Sequence, residues 1–479
     1  MFLTVSTSGP ALADEGGAVL PSFPWIWATW NGDSLLLRLS GVEPGTYDLY
    51  EMDDPPRIVI DIPGITCSEK DSTSEAFDFD DIRLLNQLRA SITPDRTRVV
   101  LESRYQVHWE LTSSEDQHEL DILCLLRFRQ TLEEVEIDAG TKYIARRYVT
   151  PSGQRFTHVV ISDPSKSKLR PRVVMASDLG SRGLMSIGEI VNDSRAAAGI
   201  NGGYFSWPGL SMSFVMEYGE IHAPPQLHRP AFMVLDNGRY IMDYPPVRAT
   251  IESGSGLRWE ADVVNQSPGP GEVALLTPGH PSRLRDGMEG ETVAILHNDT
   301  VEYVGSETVD DLSDRYILWS RKRYPPIDFL SVGEPVDIDL EVASLGPLKI
   351  IHAIQGGPFL VRNGRVSITS AQDDIGRDIA NGRAARTAIG FDDSGRVFLI
   401  AVEGSNNGRS IGSTLEEMAL TLLDLGATWG MNLDGGSSSG MALGFNTPLS
   451  ELPSGGRRIA TAVILIDESG RMQGDEFRF

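Results

Sequence analysis

Residues 413–436 read STLEEMALTLLDLGATWGMNLDGG and predict a helix that leads into a short strand. Ser413 and Glu416 have the spacing of an N-terminal capping box, and Gly426 stands where a helix C-cap belongs. Apolar residues recur between them at helical spacing and form one stripe: Leu415, Met418, Ala419, Leu422 and Leu423. We therefore expect this helix to bury one face against a neighbouring sheet.

The strand RVFLIAVEG, residues 396–404, precedes this helix, so residues 396–434 predict a βαβ unit. The two strands of such a unit run parallel and end at the same edge of the sheet. Glu403 and Asp434, one at the end of each strand, are therefore expected to emerge on the same side. A second capping box, Ser186 with Glu189, predicts another helix earlier in the chain.

Residues 25–130 have a different pattern, in which short β-branched and aromatic runs alternate with turn residues. The predicted fold class is therefore a mixed α+β or α/β domain with βαβ units, over residues 140–470, preceded by a small all-β domain over residues 21–135. A chain of 479 residues is long enough for two such domains, each with its own core.

The first residues, MFLTVSTSGPALADEGG, contain Ala11-Leu12-Ala13, a small-residue pattern that signal peptidase accepts. Residues 1–20 are therefore interpreted as a signal-peptide remnant and linker, with a disordered N-terminus as the alternative. The sequence has two cysteines, Cys67 and Cys124. A disulfide formed in an oxidising compartment and two buried thiols fit them equally well.

The composition excludes several classes of protein. A hydrophobic content of 41% and a charged content of 23% are ordinary for a globular protein. No apolar stretch approaches the roughly 18 residues of a transmembrane span. The formal net charge of −25 argues against a nucleic-acid-binding protein, because its field would repel phosphate backbones. An anionic substrate would need a local group of arginines.

One short pattern, an apolar run followed by a polar residue and two glycines, occurs three times: INGGYF at 200–205, IQGGPF at 354–359 and LDGGSS at 433–438. Glycine pairs permit sharp turns and the close approach of a ligand to the main chain. Ordinary strand-end turns are the alternative. We expect a shared pocket at one sheet edge, with these candidate substrate-binding residues: Asn201, Gly202, Gly203, Gln355, Gly356, Gly357, Gly435 and Gly436.

The sequence argues against a serine hydrolase, a phosphate loop and a zinc site. GSSSG at 436–440 matches G-x-S-x-G with Ser438 as nucleophile, but the histidine should follow the serine and all eight histidines lie at or before His352. No lysine follows the glycines of LDGGSSSG, and no Cys-x-x-Cys is present. The sequence establishes no cofactor, although Asp434, Glu403 and main-chain carbonyls are compatible with Ca²⁺ or Mg²⁺.

Asp434 and Glu403 suit a catalytic pair of carboxyl groups. Hydrolysis at an anomeric carbon passes through an oxocarbenium-like state that one carboxylate stabilises, while a second carboxyl activates water or protonates the leaving oxygen. The alternative is that each side chain caps a turn.

Two segments of the N-terminal region, PPRIVIDIPG at 55–64 and ASITPDRTRVVLES at 90–103, resemble the AMIN domain of envelope proteins. The resemblance covers about a hundred residues. It implies attachment to the cell wall and a periplasmic or secreted location, which favours the signal-peptide interpretation.

Five segments between residues 140 and 468 resemble, in order and spacing, the phosphodiester glycosidase family: GINGGYF, QGGPFLVRNG, RTAIGFDDSGRVFLIAVEG, STLEEMALTLLDLGATWGMNLDGGSSSGMA and GRRIATAVIL. The resemblance implies that the glycine-rich turns and the Asp of N-L-D-G-G line the pocket. These positions are Asn201, Gly356, Gly357 and Asp434 in this chain.

The resemblance also maps the Arg of the R-T-A-I-G motif onto Arg386. A phosphate leaving group needs a positive partner, which the guanidinium fork of Arg386 would supply, with Arg457 or Arg458 in support. The family has Val-Asp-Gly-Arg where residues 402–405 read Val-Glu-Gly-Ser. The carboxylate of Glu403 is thus one methylene longer, and Arg409 is the candidate for the displaced arginine. Ser437 also replaces a third glycine of the family pattern.

The resulting interpretation is a glycosidase that hydrolyses glycosyl phosphodiesters of cell-envelope or extracellular glycopolymers. Asp434 and Glu403 are the predicted catalytic residues. The expected partners are a carbohydrate or glycopolymer substrate and, through the N-terminal domain, the cell wall. The alternative, which the longer carboxylate at 403 keeps open, is a non-catalytic protein for polysaccharide binding or exopolysaccharide assembly.

Overall fold

The computed structural model describes residues 16–467, apart from residues 44, 81, 115–118, 180–182, 207–208, 226–227, 279–287, 289, 307–313, 323, 343–346, 406–408, 445–449 and 452–456. The chain divides into two compact units. The first comprises the described residues up to Leu132 together with Arg146–Phe156 and Arg409–Ile411. The second comprises Glu133–Ala145, Thr157–Gly408 and the described residues from Gly412 onward.

The first unit is built from two five-stranded antiparallel sheets, which share one apolar core cluster. Its strands before residue 127 are β1 (Gly16–Leu20), β2 (Phe23–Trp30), β3 (Ser34–Ser40), β4 (Asp48–Asp53), β5 (Pro56–Ile62), β6 (Thr73–Asp78), β7 (Leu85–Ile92), β8 (Thr97–Ser103), β9 (His108–Ser114) and β10 (Glu119–Leu125). The sheet orders are β1-β2-β3-β10-β9 and β4-β5-β8-β7-β6. In β3, the leucines at alternate positions point into the core because successive strand residues face opposite sides of a sheet.

Two sequence-based interpretations concern this unit. Residues 1–15 of the expected signal-peptide remnant lie outside the described residues, whereas Gly16–Leu20 forms β1 and pairs with β2. Cys67 and Cys124 are both free thiols, so the disulfide alternative is wrong. Cys124 is completely buried, and burial raises the pKa of its thiol to about 12.

The remaining elements follow in chain order: β11 (Phe128–Asp138), β12 (Thr141–Thr150), β13 (Gly153–Ser162), β14 (Leu169–Met175), α1 (Ile187–Asp193), β15 (Ala198–Asn201), β16 (Phe205–Ser206), β17 (Leu210–Ser211), β18 (Val215–Glu217), β19 (Glu220–Ala223), β20 (Ala231–Leu235), β21 (Tyr240–Asp243), β22 (Val247–Ser253), β23 (Arg258–Ala261), β24 (Val263–Val264), β25 (Val273–Leu276), β26 (Thr292–His297), β27 (Thr300–Gly305), β28 (Tyr316–Ser320), α2 (Pro325–Asp328), β29 (Val336–Val342), β30 (Ile350–Gln355), β31 (Phe359–Arg362), β32 (Arg365–Val366), α3 (Arg377–Asn381), β33 (Arg386–Phe391), β34 (Val397–Val402), α4 (Leu415–Leu425), β35 (Trp429–Asn432), β36 (Met441–Leu443), β37 (Ser450–Glu451) and β38 (Thr461–Asp467).

These strands form several sheets. Gln355 ends β30 of one of them, and two others carry Asn201, Arg386 and the strands that precede Glu403 and Asp434. One has the order β11-β12-β13-β34-β33-β35-β31-β32, and the other has the order β14-β38-β15-β36-β37. One apolar cluster contains residues of both sheets, among them Ile200, Leu399, Met431 and Val463. Further sheets have the orders β19-β18-β30-β20-β21, β23-β22-β29 and β24-β25-β28-β26-β27, and β16 pairs with β17.

The predicted fold class is wrong. The described protein is mostly β, with 53% strand and 10% helix in many antiparallel sheets, and it is not an α/β or α+β fold built from βαβ units. Two helices with clear capping boxes suggested regular alternation, but the long stretch between them folds into short hairpins. Helical periodicity in two segments therefore did not indicate the architecture of the whole domain.

The helix α4 itself forms where it was predicted, one residue later than the capping-box assignment. Thr414 is the N-cap, and its hydroxyl accepts a hydrogen bond from Glu417 N at 3.2 Å. Ser413 instead forms an isolated β-bridge with Ala384, so its backbone is still extended. The second predicted box, Ser186 with Glu189 on α1, is confirmed, as is the left-handed C-cap of α4 at Gly426.

Glycines on the sheet allow α4 to pack directly on it. A Cβ atom on Gly390 of β33 or on Gly430 of β35 would lie 2.6 Å from the Leu422 side chain. Real Cβ contacts do not reach that distance, so α4 occupies the space that two side chains would have taken. The buried residues of the helix are Leu415, Met418, Ala419, Thr421, Leu422 and Leu425.

The strands β34 and β35, on either side of α4 in the sequence, are not neighbours in the sheet. The strand β33 lies between them and pairs antiparallel with both. Both therefore end at the edge where β33 begins. Since adjacent strands lie about 4.8 Å apart, the two strand ends are separated by roughly 10 Å. Glu403 and Asp434 follow these ends.

Candidate active site

The three Gly-Gly turns lie in contact with one another. Gly202 O accepts a hydrogen bond from Asp434 N at 3.1 Å, which joins the first turn to the third. Gly357 N donates to Asn432 O at 2.8 Å, which joins the second turn to the strand before the third. The structure therefore brings together the turns that the sequence predicted to share a pocket; their role in substrate binding stays a prediction.

Glycine is required in these turns because main chains approach closely. A Cβ atom on Gly203 would lie 2.5 Å from Gln355 O, and a Cβ atom on Gly356 would lie 2.5 Å from Asn432 O. Gly357 has φ +107°, in the region that favours glycine. A side chain at either contact would push the turns apart.

Asn201 holds the Asp434 turn through its side-chain amide. Its Nδ2 donates to Asp434 O at 2.8 Å. Its Oδ1 accepts from Thr387 Oγ1 at 2.6 Å and from Gly440 N at 3.0 Å. Asn201 is 1% exposed, so these bonds are shielded from water. The hydrogen bonds of Asn201, which was predicted to bind substrate, thus hold the Asp434 turn in place.

Gln355 has a similar position in the second turn. Its Oε1 accepts from Phe214 N at 3.1 Å, and its Nε2 donates to Arg229 O at 2.9 Å. The side chain is buried, and it connects three segments of the second unit. Its amide supports the second turn, whose glycines Gly356 and Gly357 lie next to β35, the strand before Asp434.

The carboxyl group of Asp434 is partly buried at this junction. Its Oδ1 accepts a hydrogen bond from Gly435 N at 2.9 Å. Burial raises the pKa of the Asp434 carboxyl, because the charged form loses water, while hydrogen bonds from Ser438 and Gly435 and the positive charge of Arg457 oppose this shift. The group therefore stands in the environment typical of a functional carboxyl.

Tyr204 belongs to the same junction, although the sequence analysis did not select it. Its hydroxyl donates to Gly357 O at 2.9 Å and accepts from Asn432 Nδ2 at 3.3 Å. Burial, together with the negative charge of Asp434, raises the pKa of Tyr204 to about 12. The hydroxyl thus stays protonated at neutral pH. The sequence feature that could have identified Tyr204 is its position directly after Gly202-Gly203.

Arg386, the predicted phosphate anchor, is turned toward the main chain. Its Nε donates to Ser413 O at 3.2 Å, and its Nη2 donates to Ile379 O at 2.8 Å and to Gly382 O at 2.6 Å. Arg386 is 3% exposed, and burial lowers the pKa of its guanidinium. These contacts support the start of β33 at the edge of the site. They also use most of the guanidinium donors that were predicted to bind a phosphate.

The other three candidate arginines have different surroundings. Arg457 is exposed, lies 4.9 Å from the centroid of the Phe205 ring, and acts electrostatically on Asp434. Arg458 forms an ion pair with Glu189 at 2.9 Å. Arg409 belongs to the first unit, where its guanidinium stacks on Phe156 at 4.0 Å. The structure therefore associates Arg457 with the Asp434 carboxyl.

Glu403, the predicted partner of Asp434, is buried and contacts a histidine that the sequence analysis did not select. His158 Nε2 lies 2.9 Å from Glu403 Oε1, and His158 Nδ1 lies 2.7 Å from the hydroxyl of Tyr143. His158 is 245 positions from Glu403, so no local pattern links them. Nearly every residue of β13 is buried, so alternation along the strand would not have singled out His158.

Glu403 lies on the same face of the sheet as the Asn201 contact. His158 pairs with Ala401, and Ala401 pairs with Thr387, so these three residues share one face. Glu403 is two residues beyond Ala401 and continues that face. Thr387 donates to Asn201, which holds Asp434. The two carboxyl residues are thus connected across the sheet edge by a short series of contacts.

A cavity of about 970 Å³ is lined by Met216, Tyr218, Glu341 and Ile351, away from these turns.

Within the described parts of the chain, no group of three or more His, Cys, Asp or Glu residues is arranged to hold a metal ion. The compatibility of Asp434 and Glu403 with Ca²⁺ or Mg²⁺ stays a prediction. The described helices include none long and apolar enough for a membrane span.

Comparison with known families identifies a match that lies mostly in the second unit. Residues 291–466 match the family model of phosphodiester glycosidases. The matched range contains Gly356, Arg386, Glu403 and Asp434, and it does not contain Asn201. The AMIN-like resemblance of the N-terminal region is not confirmed. No curated protein matches the chain.

The chain also matches several solved structures, three of which follow. A hypothetical protein from Synechocystis is 21% identical, with 94% of this chain and 79% of that chain covered and a TM-score of 0.53, which shows a related fold. A putative exported protein from Burkholderia pseudomallei is 14% identical over 97% of this chain and 98% of that chain, with a TM-score of 0.44. The catalytic domain of zebrafish N-acetylglucosamine-1-phosphodiester alpha-N-acetylglucosaminidase, auto-inhibited by its pro-peptide, is 15% identical over 71% of this chain and 88% of that chain, with a TM-score of 0.41.

The contacts of Asn201 predict a large effect of Asn201→Asp on stability. The substitution keeps the size of the side chain but replaces the Nδ2 donor with an acceptor beside Asp434 O. We expect the free energy of unfolding to fall by about 2–4 kcal/mol, because a buried partner is lost and a buried charge is added. Urea denaturation measures the loss.

Asn237→Asp is the matched control, because Asn237 is exposed and uses only its Oδ1, as acceptor from Arg239 N. Equal stability of the two variants would contradict the role assigned to Asn201.

Proposed function

We propose that this chain hydrolyses glycosyl phosphodiesters, the sugar 1-phosphodiester bonds of cell-envelope or extracellular glycopolymers. The family match over residues 291–466 supports glycosidase chemistry. The observation that carries the proposal is the Asp434 carboxyl, which lies where three Gly-Gly turns meet and whose pKa is raised by burial. A partly desolvated carboxylate interacts strongly with a positive charge that develops beside it.

The reaction divides between the two carboxyl groups. As the bond from the anomeric carbon to the phosphate oxygen breaks, its electron pair leaves with the phosphate monoester, and the sugar carbon becomes positive. Asp434 stabilises this positive centre. Water supplies the new oxygen at the anomeric carbon, and Glu403 accepts the proton that this water loses. The phosphate leaves as an anion and needs little protonation.

The leaving phosphate needs a cation that reaches the pocket. The Nε and Nη2 atoms of Arg386 bind main-chain carbonyls, whereas the exposed Arg457 acts electrostatically on Asp434. We therefore assign the phosphate contact to Arg457, with Arg386 as a support for the edge of β33. The ring of Phe205 lies against the Arg457 guanidinium and restricts its position.

We further propose that the first unit attaches the protein to cell-wall polymer in the periplasm or outside the cell. The AMIN-like segments form β5 and β8, which pair at the centre of one sheet. A groove of about 460 Å³ on this sheet is lined by Arg57, Arg89 and Arg98, among other residues. Arginines in a groove suit the phosphates or carboxylates of an anionic wall polymer.

Asp434→Asn is expected to lower kcat by roughly 10²-fold or more with a small change in thermal midpoint. The substitution keeps the Oδ1 acceptor for Gly435 N and removes the charge that stabilises the transition state. The measurement is release of free sugar from a synthetic sugar 1-phosphodiester, beside a melting curve on the same preparation.

If Asp434 only caps its turn, kcat will stay nearly intact and stability will fall by about 1 kcal/mol. Ser438→Ala is the companion variant, because Ser438 would be the nucleophile of a serine hydrolase. It removes one hydrogen bond to Asp434 and is expected to change kcat by less than about 10-fold. Polymer binding by a wild-type protein that releases no sugar would instead support the non-catalytic alternative.

Arg457→Gln is expected to raise KM for the phosphodiester about 10-fold, because a charge-assisted contact contributes roughly 1.5–3 kcal/mol. Arg458→Gln is the matched control: the neighbouring residue is also exposed, but its guanidinium pairs with Glu189. Steady-state kinetics on both variants measure the difference. An unchanged KM in Arg457→Gln would contradict this assignment and favour Arg386 as the residue that contacts the phosphate.

Wall attachment is tested in the full-length chain, because the first unit includes Arg146–Phe156 and Arg409–Ile411 and removal of residues 1–135 would divide it. The double variant Arg57→Gln, Arg89→Gln is expected to lose co-sedimentation with purified cell wall while it keeps turnover of a small soluble substrate. Arg127→Gln, on an exposed arginine paired with Asp33, is the control. Retained co-sedimentation of the double variant would contradict the groove as the attachment site.

A further inference from the structure

Tyr143, His158 and Glu403 form a buried series of side chains on three adjacent strands of one sheet. They lie on β12, β13 and after β34, and each is less than one tenth exposed. The tyrosine and histidine rings are stacked, with centroids 6.1 Å apart and planes at 12°. Polar groups in this position interrupt an apolar cluster that contains Val160, Leu399 and Ala401. Apolar residues of similar volume would fill the same space without the loss of hydration that buried polar groups suffer.

The chemistry of the three groups fixes the direction of the two hydrogen bonds. A carboxylate that serves as the general base can only accept, so in that state His158 Nε2 carries the proton in its 2.9 Å contact with Glu403 Oε1. In a neutral imidazole, Nδ1 is then an acceptor, and the Tyr143 hydroxyl donates to it at 2.7 Å. The Glu403 carboxylate therefore selects the Nε2–H tautomer of His158, and the Tyr143 hydroxyl restrains the ring by donating to Nδ1.

His158 cannot itself contact a substrate through a ring nitrogen while both bonds are present. Its Nδ1 is engaged by Tyr143 and its Nε2 by Glu403. Any effect of the histidine on a reaction at this edge must therefore pass through Glu403. Glu403 in turn lies on the sheet face that carries Thr387, the partner of Asn201.

We propose that His158 and Tyr143 are positioning residues for the general base, and that they hold the Glu403 carboxylate in one orientation. The inference rests on the proposed function, because it gives a role in that reaction to residues that do not touch substrate. The hydrogen bond from His158 prevents rotation of the carboxylate away from the water that it deprotonates. The longer glutamate side chain has one more rotatable bond than an aspartate, so it needs such a restraint.

The first experiment compares two Tyr→Phe variants within the same apolar cluster. Tyr143→Phe removes the donor to His158 and is expected to lower kcat about 10-fold with little change in KM, because substrate contacts are intact and the base is misoriented. Tyr240→Phe is the matched control, since Tyr240 is a buried member of the cluster that packs against Phe232 and Phe391. Equal kcat values for the two variants and the wild type would contradict the inference.

The second experiment tests whether Tyr143 acts through His158. His158→Leu removes the donor to Glu403, so Tyr143→Phe added to it is expected to cause no further loss of kcat. His158→Gln, which keeps an amide donor in reach of Glu403, is expected to recover part of the activity and also serves if His158→Leu does not fold. Additive losses in the double variant would show that Tyr143 acts independently of the histidine and would overturn the proposed series.

A third measurement needs no substrate. NMR of protein with ¹⁵N-labelled histidine, assigned by loss of one signal in His158→Gln, is expected to show His158 as the neutral Nε2–H tautomer. Tyr143→Phe should move the Nδ1 resonance, and Tyr240→Phe should not. A proton on Nδ1 would contradict the inference. Absence of sugar release by the wild-type protein would contradict the proposed function, so the two failures are distinguishable.

Discussion

The side-chain amide of Asn201 is the interaction on which the arrangement of the site depends. Three of its hydrogen bonds join Asn201 to Asp434 O, Thr387 Oγ1 and Gly440 N, all of which are far from Asn201 in the sequence. Two sheets are tied together at this point, because Asn201 ends β15 and Thr387 lies on β33. An amide can donate and accept at once, so no carboxylate or alkyl side chain of the same size could replace it.

The close approach of main chains is a second constraint, and it acts with the first. Gly203 and Gly356 allow the three turns to approach within hydrogen-bonding distance. Gly390 and Gly430 allow α4 to pack directly on β33 and β35. The helix thus supports the strands whose ends carry Glu403 and Asp434. The interior tolerates little change in volume, so the positions of the carboxyl groups are set by packing as well as by hydrogen bonds.

The sequence was sufficient for features that are local. The capping box of α1, the C-cap of α4 and the shared edge of Glu403 and Asp434 all depend on residues a few positions apart or on one helix between two strands. The fold class was not predictable in this way, since short hairpins such as β18–β19 carry weak patterns and their pairing is decided by distant strands. His158 was missed for the same reason: its role depends on Glu403, which tertiary structure brings to it.

The division of the chain into units has a consequence for the order in which they form during synthesis. The first unit includes Arg409–Ile411, and Ile411 N donates to Gln154 O at 2.8 Å while Gln154 Nε2 donates to Arg409 O at 2.9 Å. A ribosome releases the chain from its N-terminus, so these contacts form only after most of the second unit has been made. The N-terminal unit is thus the first to begin folding, and among the last to be complete.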